Sequence, residues 1–252
     1  NLCIKNDASY HDMYYMNPPA KDLSKIASSD KVKKVQKDFE ATHVRPQRLM
    51  KTLFTDEAYV KANVDEARLM RRLFDLACNM QSHDTDMQLY SLFTDEECYD
   101  LWSCNNLYWY LTHACSPVTD GLMPYREADL LRNILDRADA ALKEGKNQAT
   151  LRFGHESCLL PLVALLELNH YGESYPDVEK LSEQWRAYDI FPMASNVQFV
   201  FFHKKGSNDV LVKVLLNEKE TKLPVKTDVA PYYHWKDVES YYREKLDKYQ
   251  HI

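Results

Sequence analysis

Residues 157–168 read SCLLPLVALLEL, apolar on nearly every side, and this stretch restricts the possible folds more than any other. A helix with no polar face has to be surrounded by other elements, so the chain must build layers around it. Pro161 falls near its first turn, where a missing N–H is tolerated. Just before it, residues 148–153 (QATLRF) form a short apolar strand candidate, joined to the helix by Gly154, His155 and Glu156. Further on, VQFVFFH (197–203) and VLVKVLL (210–216) read as a β-hairpin turning at Gly206, Ser207 and Asn208. The tail DVESYYREKLDKY reads as a helix.

Upstream, from Pro18 to Lys143, the pattern is helical. Val32, Val35 and Phe39 make one stripe, and Ala67, Met70, Phe74 and Ala77 another. Residues 125–142 predict a helix with Leu130, Leu131, Ile134, Leu135, Ala138 and Leu142 on one face and Gly145 at its end. Thr94 followed by Asp95, Glu96 and Glu97 predicts a helix start. The change of pattern after Gly145 suggests a mostly helical domain over 1–145 and a mixed α/β region over 146–252. With 45% hydrophobic residues among 252, the chain can bury a sizeable core, yet no apolar run approaches the ~20 residues that span a bilayer.

Charge and composition exclude several functions. Thirty-two Lys and Arg against 38 Asp and Glu give a net charge of −6, so no nucleic-acid footprint exists and any anion site must be local. Only five glycines are present, none in a phosphate-loop or dinucleotide-binding arrangement. The six cysteines (Cys3, Cys78, Cys98, Cys104, Cys115, Cys158) form no C-x-x-C pair and match no zinc spacing, while disulfides stay open. His11, His83, His113 and His203 have no metal-ligand spacing to neighbouring Cys, Asp or Glu, so each is expected to be a surface or packing histidine. The aromatic runs LYWYLTH and APYYHW read as core.

Gly154 is the one glycine without an ordinary punctuating role. A strand-to-helix junction exposes backbone N–H groups and the positive end of the helix dipole, which suits an anion. His155 there could donate to a phosphoryl oxygen, Glu156 could protonate a leaving alkoxide, and Arg152 could hold the charge. The same residues also suit a plain helix start, with Glu156 favourable in the first turn.

The stretch LRFGHESCLLPLVALLEL resembles the C-terminal catalytic motif of the histidine acid phosphatases, in the branch containing the multiple inositol polyphosphate phosphatases. NNLYWYLTHACSPVTDGLMPYREADLLRNIL (105–135) is similar to that branch's helical domain, LPVKTDVAPYYHWKDVESYY (223–242) to its C-terminal tail, and YHDMYYMN (10–17) is a weaker match. The resemblance implies a phosphoglycerate-mutase-like α/β fold with a large helical cap, incomplete at the N-terminus. It implies a phosphomonoesterase acting on inositol polyphosphates such as phytate, with His155 binding phosphate, Glu156 donating a proton, no metal or organic cofactor, and a periplasmic or secreted location.

Two departures qualify the match. The family motif usually reads His-Ala-Glu, which puts Glu156 at the alanine place and Ser157 at the glutamate place; members with His-Asp put an acid where Glu156 stands. The nucleophile motif R-H-G-x-R-x-P does not occur, and His43-Val44-Arg45-Pro46 lacks its glycine and leading arginine. The chain is therefore expected to be the C-terminal portion of a longer phosphatase and inactive alone, the alternative being a degenerate relative that binds anions without catalysis. Between Lys31 and Lys51, seven basic residues face two acids, and Arg45, Arg48 and Lys51 are candidate contacts for a highly phosphorylated inositol. Arg68, Arg71 and Arg72 are expected to pair with Asp65, Glu66 and Asp75.

Overall fold

The computed structural model describes residues 21–146 and 148–249. Cys3, His11 and YHDMYYMN lie outside them. The helices run α1 (Lys21–Ala27), α2 (Asp30–His43), α3 (Gln47–Leu53), α4 (Glu57–Asn63), α5 (Glu66–Asn79), α6 (Asp95–His113), α7 (Ala128–Glu144), α8 (Glu156–Leu165), α9 (Leu181–Gln184) and α10 (Ala187–Ile190). Four strands follow, β1 (Val197–His203), β2 (Val210–Leu216), β3 (Lys219–Glu220) and β4 (Tyr233–His234), then α11 (Trp235–Tyr249). The chain divides into two compact units, Asp30–Tyr108 and a second comprising α1 and everything from Trp109 on.

This division into compact units differs from the expected one at 145/146. The change of pattern there marks the onset of extended chain, whereas α7 packs on α11 and shares the second unit with it.

The first unit is held by capped helices. Asp56 accepts from the Tyr59 amide at 2.9 Å and Asp65 from the Arg68 amide at 3.0 Å. Thr94 and Glu97 satisfy each other reciprocally: the Glu97 amide donates to Thr94 Oγ1 at 3.2 Å, and the Thr94 amide donates to Glu97 Oε2 at 2.9 Å. Leu49, Met50, Met70, Ala77, Phe93 and Leu101 pack as this unit's core. Thr94→Ala is expected to lower stability by about 1 kcal/mol, read as a shift in the denaturant midpoint without a change of slope.

In the second unit, α7 buries Leu130, Leu131 and Leu135 and ends at Gly145, whose φ of 65° is the left-handed cap the sequence called for. β1 and β2 pair antiparallel from Val197 opposite Leu216 to His203 opposite Val210, and β2 also pairs with β3 and β4. The all-apolar stretch becomes α8, with Pro161 inside it and Leu160, Val163 and Leu165 fully buried. Its C-terminal end is closed by α11: the Tyr242 hydroxyl donates to the Leu166 carbonyl and Lys245 Nζ to the Leu165 carbonyl, both at 2.7 Å. α11 is fixed to α7 in turn, through Trp235 Nε1 to Asp139 at 2.8 Å and Arg243 to Asp136 and Asp139.

Residues 148–153 correct an expectation. They are extended but belong to no strand, with Leu151 70% and Phe153 83% exposed. A strand exists only through a hydrogen-bonded neighbour, and no described residues supply one here.

On β4, His234 sits between two carboxylates, Nδ1 3.0 Å from Asp209 and Nε2 2.9 Å from Asp228. Hydrogen bonds to Asp209 and then Asp228 raise its pKa above the ordinary imidazole value. A group bound more tightly to its proton when folded stabilises the fold fully below the unfolded pKa, about 6.5, and loses that contribution as pH rises through the higher folded value. Thermal unfolding of the wild-type chain against His234→Gln from pH 6 to 9 is expected to show the two curves converging at the alkaline end.

Candidate active site

The site grows from the start of α8. His155 is extended (φ −114°, ψ 165°), which turns the chain into the helix, and its carbonyl accepts from the amides of Cys158 and Leu159, both at 3.0 Å. Its imidazole makes no capping bond. Both His155 and Glu156 are exposed, so both side chains are reachable from solvent and the adjacent first-turn amides add their dipoles to the imidazole. Arg152, half-buried just upstream, donates from Nη2 to Asn133 Oδ1 of α7 at 2.7 Å, which anchors the extended arm and holds a cation three residues from His155. The structure thus brings Arg152, His155 and Glu156 together on one short segment.

The three other candidates lie in the first unit and are already engaged. Arg45 Nη2 binds Glu96 at 2.8 Å and Asp100 at 2.5 Å. Arg48 forms a two-pronged pair with Glu97. Lys51 lies 3.7 Å from Glu57 and remains largely exposed. The acids at the start of α6 thus serve two ends, favouring the helix dipole and neutralising the arginines of and before α3. Arg72 pairs with Asp75 as expected, but Arg71 reaches Glu40 of α2 at 2.6 Å instead of an acid on its own helix.

One chemically notable residue escaped the sequence reading. Glu127, in the 3₁₀ turn before α7, is only 3% exposed, and Cys158 Sγ donates to its Oε2 at 3.1 Å. Burial pushes its carboxyl up to about 7 against the opposing pull of the Cys158 hydrogen bond and the Arg126 charge. Spacing could have found it, since Glu127 stands three and four residues before Leu130 and Leu131 and so continues their apolar face. His113, at the end of α6, is buried beside Arg126 (3.5 Å), and desolvation first, then that cation, lowers it to about 4. It is a neutral packing histidine.

A cavity of about 560 Å³ opens at the other end of α8, lined by Cys115, Asp120, Tyr125, Glu167, Ser174 and Lys245 among others. Glu167 and Lys245 pair there at 3.1 Å, which leaves Asp120 as the remaining charged group of the lining. Neither His155, Glu156 nor Arg152 lines it. Among the described residues no group of three or more His, Cys, Asp or Glu could hold a metal ion, and Cys78, Cys98, Cys104, Cys115 and Cys158 are free thiols.

Residues 5–217 match the pattern of the histidine phosphatase superfamily (branch 2). The human protein multiple inositol polyphosphate phosphatase 1 is 28% identical over 134 residues, covering 48% of this chain and 27% of that protein. The structure of Bifidobacterium longum multiple inositol polyphosphate phosphatase in complex with phosphate superposes with a TM-score of 0.61 at 19% identity, covering 96% of this chain and 56% of that one. The complex of the same protein with inositol hexasulfate gives 0.56 at 19%, covering 90% and 55%. The chain thus spans little more than half of these solved chains and about a quarter of the human relative. The likeness establishes a histidine phosphatase fold.

Proposed function

Because this chain belongs to branch 2 of the histidine phosphatase superfamily, we propose that it supplies the phosphate-binding and proton-donating part of a phosphomonoesterase acting on inositol polyphosphates such as phytate. The observation that carries the reading is the exposed His155–Glu156 pair at the N-terminal end of α8, with the Arg152 guanidinium tethered just upstream. In this reading the His155 imidazole and the Arg152 guanidinium hold a phosphoryl group, whose oxygens gain from the first-turn amides. Glu156 delivers a proton to the departing inositol oxygen.

The attacking histidine is not among the 252 residues in the family arrangement, since R-H-G-x-R-x-P is absent. The reaction would form a phosphohistidine on that group by in-line displacement, and water would then release phosphate. Arg45, Arg48 and Lys51 belong to the other compact unit, where Lys51 is the least committed to a carboxylate. A periplasmic or secreted location goes with this reading; no described helix is long and apolar enough to cross a membrane.

A second reading, an anion-binding relative without catalysis, is favoured by Ser157 at the place where the family pattern has glutamate. One experiment addresses both. The 252-residue chain is expected to release no phosphate from phytate, yet to bind inorganic phosphate or inositol hexasulfate, with His155→Ala weakening binding about tenfold. Turnover by the chain alone would overturn the idea that its nucleophile lies elsewhere. Absence of anion binding would overturn the phosphate-site reading. Binding that survives without hydrolysis, once the chain is joined to a segment carrying R-H-G-x-R-x-P, would select the second reading.

A further inference from the structure

We infer that Glu127 is a positioning residue for the phosphate site: its buried carboxyl seats the first turn of α8, and through that turn it fixes His155. The connection is continuous. Glu127 occupies the residue before α7, where a short polar side chain would ordinarily cap that helix, but it makes no capping bond. Its Oε2 instead accepts from Cys158 Sγ on α8 at 3.1 Å. The amide of the same Cys158 donates to the His155 carbonyl at 3.0 Å. One side-chain bond and one backbone bond therefore separate a carboxyl 3% exposed from an imidazole that faces solvent.

The surroundings make this seat sensitive to proton concentration. The charged and titratable groups that act on Glu127 are Cys158 from α8 and Arg126 from its own turn, and Arg126 also lies 3.5 Å from His113 at the end of α6. His113 is held neutral by burial, and Arg126 is shared with it, so little positive charge answers an ionised Glu127. A neutral carboxyl can accept the thiol proton without a burial penalty. An ionised one draws water or rearrangement toward the α7–α8 contact. In acid the first turn is firmly seated, and above neutrality it loosens. The inference gives the proposed phosphate site a support and a pH range, and takes its functional meaning from that reading, although its test does not depend on it.

The test is hydrogen exchange of the Cys158 and Leu159 amides in the full chain, measured as protection at pH 6 and pH 8.5. Wild type is expected to lose about threefold or more of its protection at the higher pH. Glu127→Gln keeps the bond in uncharged form and is expected to hold protection at both. Cys158→Ala is expected to show the lower protection at both, while Cys158→Ser, which restores a donor, recovers the wild-type pattern. A Glu127→Gln chain that follows wild type, or a Cys158→Ala chain as protected as wild type, overturns the inference. If the expected exchange pattern holds but the chain binds no inorganic phosphate, the functional reading falls and the role of Glu127 stands.

Discussion

Replacing Glu127 by Gln is expected to flatten the pH dependence of stability between about pH 4.5 and 7. The carboxyl rises from an ordinary 4.5 to about 7 on folding. The folded state therefore binds more protons than the unfolded chain across this window, and stability falls as pH increases through it. About 2.5 units at ~1.4 kcal/mol each is about 3 kcal/mol, a large share of a typical domain's stability. Above pH 7 the variant should exceed wild type by about that amount, and near pH 4 the two should agree. Denaturant titrations at pH 4.5, 6 and 8 check the sign, and a variant whose stability runs parallel to wild type across all three would refute it. The His234 contribution decays at higher pH, so the two effects occupy different windows.

The second large effect lies nearly three helix turns from His155, at the far end of α8. Leu165 is 1% exposed at the end of α8, between the equally buried Ala164 and Leu166. Leu165→Ala is expected to cost about 2–5 kcal/mol through lost apolar transfer and the cavity left behind. Phe153, the larger residue by volume, is 83% exposed, and Phe153→Ala is expected to change stability by less than about 0.5 kcal/mol. Calorimetric melting of the two variants separates burial from size. Equal losses would mean that Phe153 is covered in solution.

The contrast between these residues also shows what a sequence can disclose. Helices with a strong local signature were legible: the Thr94–Glu97 reciprocal cap, the Gly145 stop and the apolar face of α7 depend on neighbours within four residues. The β1–β2 hairpin was legible for the same reason, because its partner strand follows within one turn. Residues 148–153 have the right composition for a strand, but a strand is a relation between distant segments, and local preference cannot state whether the partner is there. The grouping of Arg152, His155 and Glu156 was readable because it is contiguous. The ion pairs of Arg45 and Arg48 were not, since their carboxylates lie about fifty residues away on α6. Glu127 was hidden in a different way: its spacing placed it on the apolar face, but an acid on such a face reads as an interruption until its thiol partner on another helix is known.

Helix α11 has a consequence for how this protein tolerates truncation. Since Tyr242 and Lys245 answer the last carbonyls of α8, a premature stop near Trp235 would strip acceptors bare at the far end of the very helix whose beginning carries His155. Loss of the fifteen residues of α11 should therefore be felt along α8 as far as His155.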